Sequence, residues 1–484
     1  MDKTSKFDFT DAEISSAVAE GRLLSMEIEF SRACNYNCPY CYVPGTDALQ
    51  DELTPDEIRS VLCQASGLGA KKIIILGGEP LLYLHLFEMI EHISSLGMTS
   101  EVFTNGSLIT PENAKRLFHA GVRISVKLNS LDPGIHDELT GEKDSMATAL
   151  RAIAILKDAG YGKNEEGMLA ASSIISSRNI GGIASLWRWL REEHITPYFE
   201  IITPQGRVMD NRHLMVDGHQ LLKVFSDISA IDADFGHRWE PQPPLVGRKC
   251  FRHTYSCLVN SVGDVMPCVG LTVVIGNIRS KPLKGILAES GIISRLKNFR
   301  KYIKKPCADC SKAEHCYGCR GAAYQVTGDY LAADPTCWFN ADKPDQIRIL
   351  PVDAAPFIPH QPPISMIDRI VKIGDNSGDC DSLVAPDNIF LDETGILSCS
   401  ALIEAASQAA AAINSFLNDG RVMPGMLVGA RSFRFFGEVR SGDLMNISID
   451  KVAEFDRYHI IIASISVAGR KICEGELKIC VLDN

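Results

Sequence analysis

The chain has 484 residues, with 49 Lys and Arg against 60 Asp and Glu, a net charge of −11, and 45% hydrophobic residues. That is the make-up of an ordinary globular protein. With no basic block read in it, the charge argues against nucleic acid or an anionic membrane surface as the main partner. The polar start Met1-Asp-Lys-Thr-Ser-Lys6 lacks an apolar stretch, and no run approaches the ~20 apolar residues of a membrane span, so the expectation is a cytoplasmic chain without a signal peptide or membrane helix. Length sets an expectation of roughly two to four domains.

In chain order, Thr10-Asp-Ala-Glu13 is a capping box that opens a helix, and residues 23–30 form an apolar strand. The stretch Cys34-x3-Cys38-x2-Cys41 follows at the strand's C-terminal end. A loop so spaced can turn three sulfurs toward one point, and thiolates suit iron–sulfur clusters or zinc. A closed structural site wants four protein ligands, and no fourth Cys or His stands nearby. Three thiolates on a 4Fe–4S cube would leave one iron open.

Thr54-Pro55-Asp56-Glu57 starts a second helix that Gly67 closes, and residues 72–76 are a buried strand ending in Gly77-Gly78-Glu79-Pro80. Helices are expected at 84–95, 111–120, 145–159 and 180–193, and strands at 100–103, 123–128, 168–175 and 197–202. Six β/α units in a row imply a parallel sheet covered by helices. They are too few for a closed eight-fold barrel, and an open partial (β/α)6 barrel fits the count. Chemistry in such sheets gathers at strand C-termini, where Glu79, Asn105, Ser125, Lys127 and Asn129 fall.

These features resemble the radical S-adenosylmethionine (SAM) enzymes: the three-cysteine spacing, the aromatic Tyr40 before the third thiol, and the Gly77-Gly78-Glu79-Pro80 stretch. The resemblance implies a catalytic 4Fe–4S cluster on Cys34, Cys38 and Cys41 whose open iron chelates SAM. It implies that Gly77, Gly78, Glu79 and Pro80 hold the SAM amino group. Asn105, with Ser125 or Asn129, would reach SAM's ribose and carboxylate, and a backbone near Tyr40 would reach adenine. A zinc knuckle is the plain alternative for the three thiols.

Residues 204–249 break the β/α rhythm and carry Pro241, Pro243 and Pro244, which reads as a bridge. Cysteines then return at Cys250, Cys257, Cys268, Cys307, Cys310, Cys316, Cys319 and Cys337. This eight-cysteine set resembles the SPASM extension of radical SAM enzymes. By that resemblance, Cys250, Cys257, Cys268 and Cys319 would hold one auxiliary 4Fe–4S cluster, and Cys307, Cys310, Cys316 and Cys337 a second. The last gap, Cys316-x2-Cys319, is shorter than the family's usual three residues, and a zinc ribbon is the alternative. Cys63, Cys380, Cys399, Cys473 and Cys480 read as plain thiols.

Six prolines, including Pro344, crowd residues 343–363, which read as a linker. Beyond it an Ala-rich helix at 398–417 precedes strands at 427–436, 444–452, 458–467 and 471–482. One helix wrapped by an antiparallel sheet is the hot-dog fold. Pro359-His360-Gln-Pro-Pro, Ile367-Asp368-Arg369 and the helix around Glu404 resemble β-hydroxyacyl-acyl carrier protein (ACP) dehydratases. In that family a His before the central helix works with an acid on it. Glu404 fits the acid, but residues 390–397 contain no His, so the pair reads as incomplete and His360 as structural.

The expected organisation is a radical SAM core over 1–215, a SPASM-like auxiliary-cluster domain, small and α+β, over 216–342, a linker over 343–362 and an α+β hot-dog domain over 363–484. The expected function is reductive SAM cleavage and hydrogen abstraction. The substrate would be an acyl thioester on ACP or CoA, with maturation of a ribosomal peptide or tetrapyrrole as the alternative. A metal-stabilised binding protein without SAM chemistry is the reading from another class. The expected partners are an electron donor such as flavodoxin or ferredoxin and a second copy through the hot-dog domain.

Overall fold

The computed structural model describes residues 8–43, 45–162, 167–314, 316, 318–343, 346–374, 376–418 and 420–482. The polar start at residues 1–6 and Pro344 of the expected linker lie outside them. The chain divides into two compact units, residues 1–325 with 330–347, and residues 326–329 with 348–484.

The first unit is built on β1 (Ser25–Glu29), β2 (Lys72–Leu76), β3 (Thr99–Thr104), β4 (Arg123–Lys127), β5 (Leu169–Ile175) and β6 (Thr196–Ile201). Each pairs in parallel with the next. The order β6-β5-β4-β3-β2-β1 continues into β7 (Leu258–Val259), β8 (Asp264–Met266) and β9 (Gly276–Asn277). β7 joins β1 in parallel, and β8 and β9 follow antiparallel. The six expected strands are present as an open partial barrel, and the Cys-rich extension prolongs the same sheet.

The helices start where the caps say. Thr54 and Thr110 both form capping boxes, each with Pro in the first turn. Their buried faces, with Ile58, Val61, Leu62 and Leu117 among them, pack on the β-branched strands in one core. The segment read as a bridge differs from expectation, because it contains the 17-residue helix Gly218–Asp234. Asp217 caps it by accepting from the backbone of His219 and Gln220, and Leu221, Val224, Phe225 and Ile228 form its buried stripe. Asp232 then accepts hydrogen bonds from Trp187, Arg191 and Trp239, which ties this helix to Ile183–Glu192. The prolines that suggested a bridge lie after it.

The inward face of the sheet is charged. Lys72 and Arg123 both reach Glu101, at 3.2 and 3.3 Å, in almost complete burial. Burial pushes the Glu101 carboxyl up, but Arg123 and Lys72 together hold it at about 2.

The second unit is an antiparallel sheet of β10 (Val352–Asp353), β11 (Arg369–Ile373), β12 (Ser377–Leu383), β13 (Gly425–Phe435), β14 (Leu444–Phe455), β15 (Tyr458–Val467) and β16 (Arg470–Val481), in the order β10-β11-β12-β14-β15-β16-β13. It packs around the helix Cys399–Leu417, capped by Ser398. Ala401, Ala405, Ala406, Ala409 and Ala412 are buried on that helix, and their small side chains let the sheet approach it closely. This is the expected hot-dog arrangement. The stretch read as a linker is different: from residue 348 it belongs to this unit, with Leu350, Ala354, Phe357 and Ile358 in the core. Its prolines shape a packed segment. No described helix is long and apolar enough to cross a membrane.

Removing the acid's charge from the inner ion cluster takes one counter-charge from two buried cations, with Asp8 remaining 4.0 Å from Arg123. Glu101→Gln is therefore expected to lower stability by about 3–5 kcal/mol, read as a fall in the urea midpoint of the first unit's transition.

Candidate functional site

A glycine pair sets the position of the three-cysteine loop. Gly78 N donates to Ser31 O at 3.0 Å, and Glu79 N donates to Ala33 O at 2.8 Å. A Cβ at Gly77 would lie 2.4 Å from Ser31 O, and one at Gly78 would lie 2.0 Å from Ala33 O. Gly77 also has φ +107°, which favours glycine. The end of β2 and the start of the cysteine loop are thus zipped together at a spacing only glycine permits.

The loop is held from its other side by the segment after β6. Arg207 N donates to Cys41 O at 2.9 Å, and Asn211 donates to Pro39 O at 3.1 Å. A Cβ at Gly206, at φ +57°, would sit 2.5 Å from Cys41 O. The sequence reading missed this clamp, for which a glycine near the C-terminal end of β6 was the only signal.

Cys34, Cys38 and Cys41 line one cavity of about 1440 Å³ in the first unit, together with Tyr40, Gly77, Gly78, Glu79 and Asn105. Glu79 is 3% exposed. Its Oε1 accepts from Thr104 at 2.7 Å and from Leu81 N at 3.1 Å, and its Oε2 accepts from Asn105 N at 2.7 Å. A carboxylate offers about four acceptor positions, so three fixed bonds orient Glu79 and leave it one more donor to take. Asn105 donates to Asn35 at 2.9 Å, so the end of β3 also grips the cysteine loop. Pro80 opens a short 3₁₀ turn, is buried and does not line the cavity.

The polar residues of β4 separate differently from expectation. Ser125 is fully buried and does not line the cavity. Asn129 is also fully buried, because its amide donates to the Tyr40 hydroxyl at 2.9 Å while its Oδ1 accepts from Ile174 N at 3.3 Å. It orients Tyr40 and does not face the cavity. Lys127 does line it, with Nζ 5.1 Å from the Tyr40 ring centroid. Burial pushes the Lys127 amine down, opposed by Glu200, Cys38 and Cys41. Burial in turn pushes Glu200 up to about 7, with Lys127 pulling the other way.

The auxiliary cysteines fall into electrostatic neighbourhoods. Burial raises the Cys268 and Cys319 thiols to about 12, with Cys250 adding to the first and Cys268 to the second. Cys337, buried and raised, feels both Cys316 and Cys307. Cys257 lies beside Glu27 in complete burial. None of the sixteen cysteines forms a disulfide.

Amide donors aim at many of these sulfurs. Backbone N–H groups donate to Cys34 from Tyr36, to Cys310 from Lys312, to Cys316 from Gly318 and to Cys319 from Ala322, at 3.3–3.5 Å. The Asn340 amide reaches Cys307 at 3.4 Å. Such donors favour the thiolate and are the contacts that tune sulfur ligands of iron–sulfur clusters. Among the described residues no three or more Cys, His, Asp or Glu are gathered as a single ion requires. The all-cysteine donor set with amide N–H groups aimed at its sulfurs fits an iron–sulfur core.

In the second unit, Glu404 lies on the central helix and His360 Nε2 stands 3.7 Å from its Oε1. Both side chains are about a third exposed. Gln408 donates to Glu404 at 2.8 Å and to Ile364 O at 3.0 Å, and accepts from Met366 N at 2.8 Å. The structure therefore supplies from before β11 the histidine that residues 390–397 lack. His360, read as structural in the sequence, lies within ion-pair distance of Glu404.

The Radical SAM superfamily matches residues 28–169, an iron–sulfur cluster-binding domain (SPASM) residues 250–311, and ApeP dehydratase residues 352–484. An AdoMet-dependent heme synthase of Methanosarcina barkeri is 28% identical over 349 residues, 66% of this chain and 97% of that one. A PqqA peptide cyclase of Xanthomonas axonopodis pv. citri is 27% identical over 335 residues, 65% and 87% of the two chains. Among solved structures, anSMEcpe with bound AdoMet covers 67% of this chain and 98% of its own, with TM-score 0.52 and 18% identity. Streptococcus suis SuiB bound to precursor peptide SuiA covers 67% and 78%, with TM-score 0.51 and 15% identity. At those identities the structural likeness establishes the fold.

Gly78→Ala is expected to unseat the cysteine loop. After anaerobic reconstitution it should bind about four fewer iron atoms than the unaltered chain, which is expected to hold about twelve in three four-iron clusters. Cys34, Cys38 and Cys41 changed together to Ala should lose the same number, as read by elemental analysis.

Proposed function

We propose that this enzyme, which carries a radical SAM domain, a SPASM domain and an ApeP-dehydratase-like domain, acts on an acyl thioester carried by ACP or CoA. The observation that carries this reading is the His360–Glu404 pair in the part of the chain that matches ApeP dehydratase. It would give the second unit an acid–base site for thioester chemistry.

In the first unit, Cys34, Cys38 and Cys41 would hold the catalytic 4Fe–4S cluster, and Glu79 would use its remaining acceptor position for SAM's amino group. Lys127, a cation lining the cavity at the end of β4, would take SAM's carboxylate in place of Ser125 or Asn129. When bound, the cluster supplies the electron that splits SAM and so provides a 5′-deoxyadenosyl radical for hydrogen abstraction. Tyr40, fixed by Asn129, and the glycine zipper keep the thiols, Glu79 and the cavity wall in one rigid arrangement, so that little reorganisation accompanies binding. Cys250, Cys257, Cys268 and Cys319, and Cys307, Cys310, Cys316 and Cys337, would hold the auxiliary clusters; the mutual influence of Cys250, Cys268 and Cys319, and of Cys307, Cys316 and Cys337, supports that split for those six.

In the second unit, His360 would take a proton from the carbon next to the thioester carbonyl of a 3-hydroxyacyl substrate. Glu404, oriented by Gln408, would protonate the departing hydroxyl, so that water leaves and a 2-enoyl thioester remains. The exposed apolar residues Met426, Leu427, Val428 and Phe435 lie on β13, an edge strand paired on one side with β16. They support a homodimer that covers that edge.

A second reading, maturation of a peptide or a tetrapyrrole, is favoured by the names of the heme synthase and PqqA cyclase relatives. In that case the second unit would serve assembly alone.

The full chain should convert 3-hydroxyacyl-ACP or -CoA to the enoyl thioester, and His360→Ala or Glu404→Gln should each lower that rate by about 10²–10⁴-fold. No dehydration by the unaltered chain would move the weight to the second reading. Independently, Glu79→Gln should weaken SAM binding at equilibrium and leave iron content unchanged.

A further inference from the structure

The chain is acidic, yet residues 291–314 hold seven Lys and Arg against two Asp and Glu, +5 within a net −11. The rest of the chain therefore carries −16. This corrects the reading that the chain holds no basic block. Arg295, Arg300, Lys301, Lys304, Lys305 and Lys312 are all exposed. They lie on the helix Gly291–Lys297, the 3₁₀ turn Phe299–Lys301 and the approach to Cys307, all anchored by the buried Ile293, Leu296 and Phe299. Arg300 donates to Glu314 O at 2.6 Å, which folds the basic segment against the Cys310–Cys316 loop. Lys305 pairs with Asp309 and Lys312 with Glu240, both exposed and so weakly bound. Tyr302 lies among the lysines, 48% exposed.

We propose that this patch is the docking surface for an acidic electron-transfer protein of the ferredoxin or flavodoxin class, and that electrons enter the enzyme through the cysteine set Cys307, Cys310, Cys316 and Cys337. The proposal rests on the iron–sulfur reading above and adds where its reductant binds. One electron leaves the donor, which is oxidised by one, and one arrives at the chain's iron–sulfur centres; no bond or proton need change. Electron transfer requires close approach, and this cationic segment leads directly into the Cys307–Cys316 stretch, where an acidic partner would be drawn in. A local patch of this kind steers association strongly at low salt and loses that effect as the Debye length shrinks to about 8 Å at physiological ionic strength. Nucleic acid would also be attracted to lysines, but the surrounding −16 disfavours an extended polyanion that must track past the patch, and suits a small acidic protein.

The test uses the full, reconstituted chain and its Lys301→Glu/Lys304→Glu/Lys305→Glu variant. Calorimetric titration with a purified ferredoxin should show binding to the unaltered chain that weakens at least tenfold between low and moderately high salt, and binding at least tenfold weaker still in the variant. Formation of 5′-deoxyadenosine should fall at least tenfold in the variant when reduced ferredoxin is the donor, and stay the same with dithionite, a small reductant that needs no docking. Unchanged ferredoxin affinity in the variant, equal losses with both reductants, or tighter binding to an RNA oligonucleotide than to ferredoxin would each overturn the proposal. Absence of 5′-deoxyadenosine with dithionite in the unaltered chain would instead refute the SAM-cleaving reading on which it rests.

Discussion

Two backbone hydrogen bonds and two missing side chains govern the first unit's site. Ser31 and Ala33 carbonyls sit where the Cβ atoms of Gly77 and Gly78 would be. A loop with three thiols has no regular structure to fix it, and its conformational entropy must be offset before the sulfurs can converge. Here the offset comes from docking its first residues onto the end of a buried strand and its last residues onto Arg207. Because the strand is rigid, the thiols inherit its position, and Glu79, the next residue in the same turn, is placed beside them.

The inner face of the open barrel shows how a charged interior is tolerated. Each acid there has named partners: Glu101 has Lys72 and Arg123, Glu27 has Arg252 and the Val269 amide, and Glu79 has three donors. Burial drives Glu200 toward the protonated form, with Lys127 pulling the other way. Lys127 and Glu200, which offset each other only in part against burial, face the cavity at the C-terminal ends of β4 and β6.

The second unit reaches a comparable arrangement by another route. Its Ala-rich helix is so closely wrapped that little besides Glu404 and Gln408 projects as polar surface toward the segment before β11. Gln408 bonds the backbone of Ile364 and Met366, which holds that segment against the helix and with it His360. The placement of His360 beside Glu404 thus involves an amide four residues along the helix, one turn away.

Periodicity and caps made much of the fold legible in the chain itself. The β/α alternation, the capping boxes at Thr54 and Thr110 and the helix opened by Ser398 are local signals, and local interactions suffice to place them. The three-cysteine loop and the glycine pair were legible for the same reason: short spacing restricts what a loop can do. What lay beyond the sequence was every feature made by distant segments. The helix Gly218–Asp234 was masked by prolines that follow it, and the segment from residue 348 was called a linker because composition does not show packing. Ser125, Asn129 and Lys127 alternate on one strand and its end, and only the surrounding packing decides which of them meets the cavity. His360 and Glu404 are 44 residues apart; no local rule brings them together, and the wrapping of a sheet around one helix does.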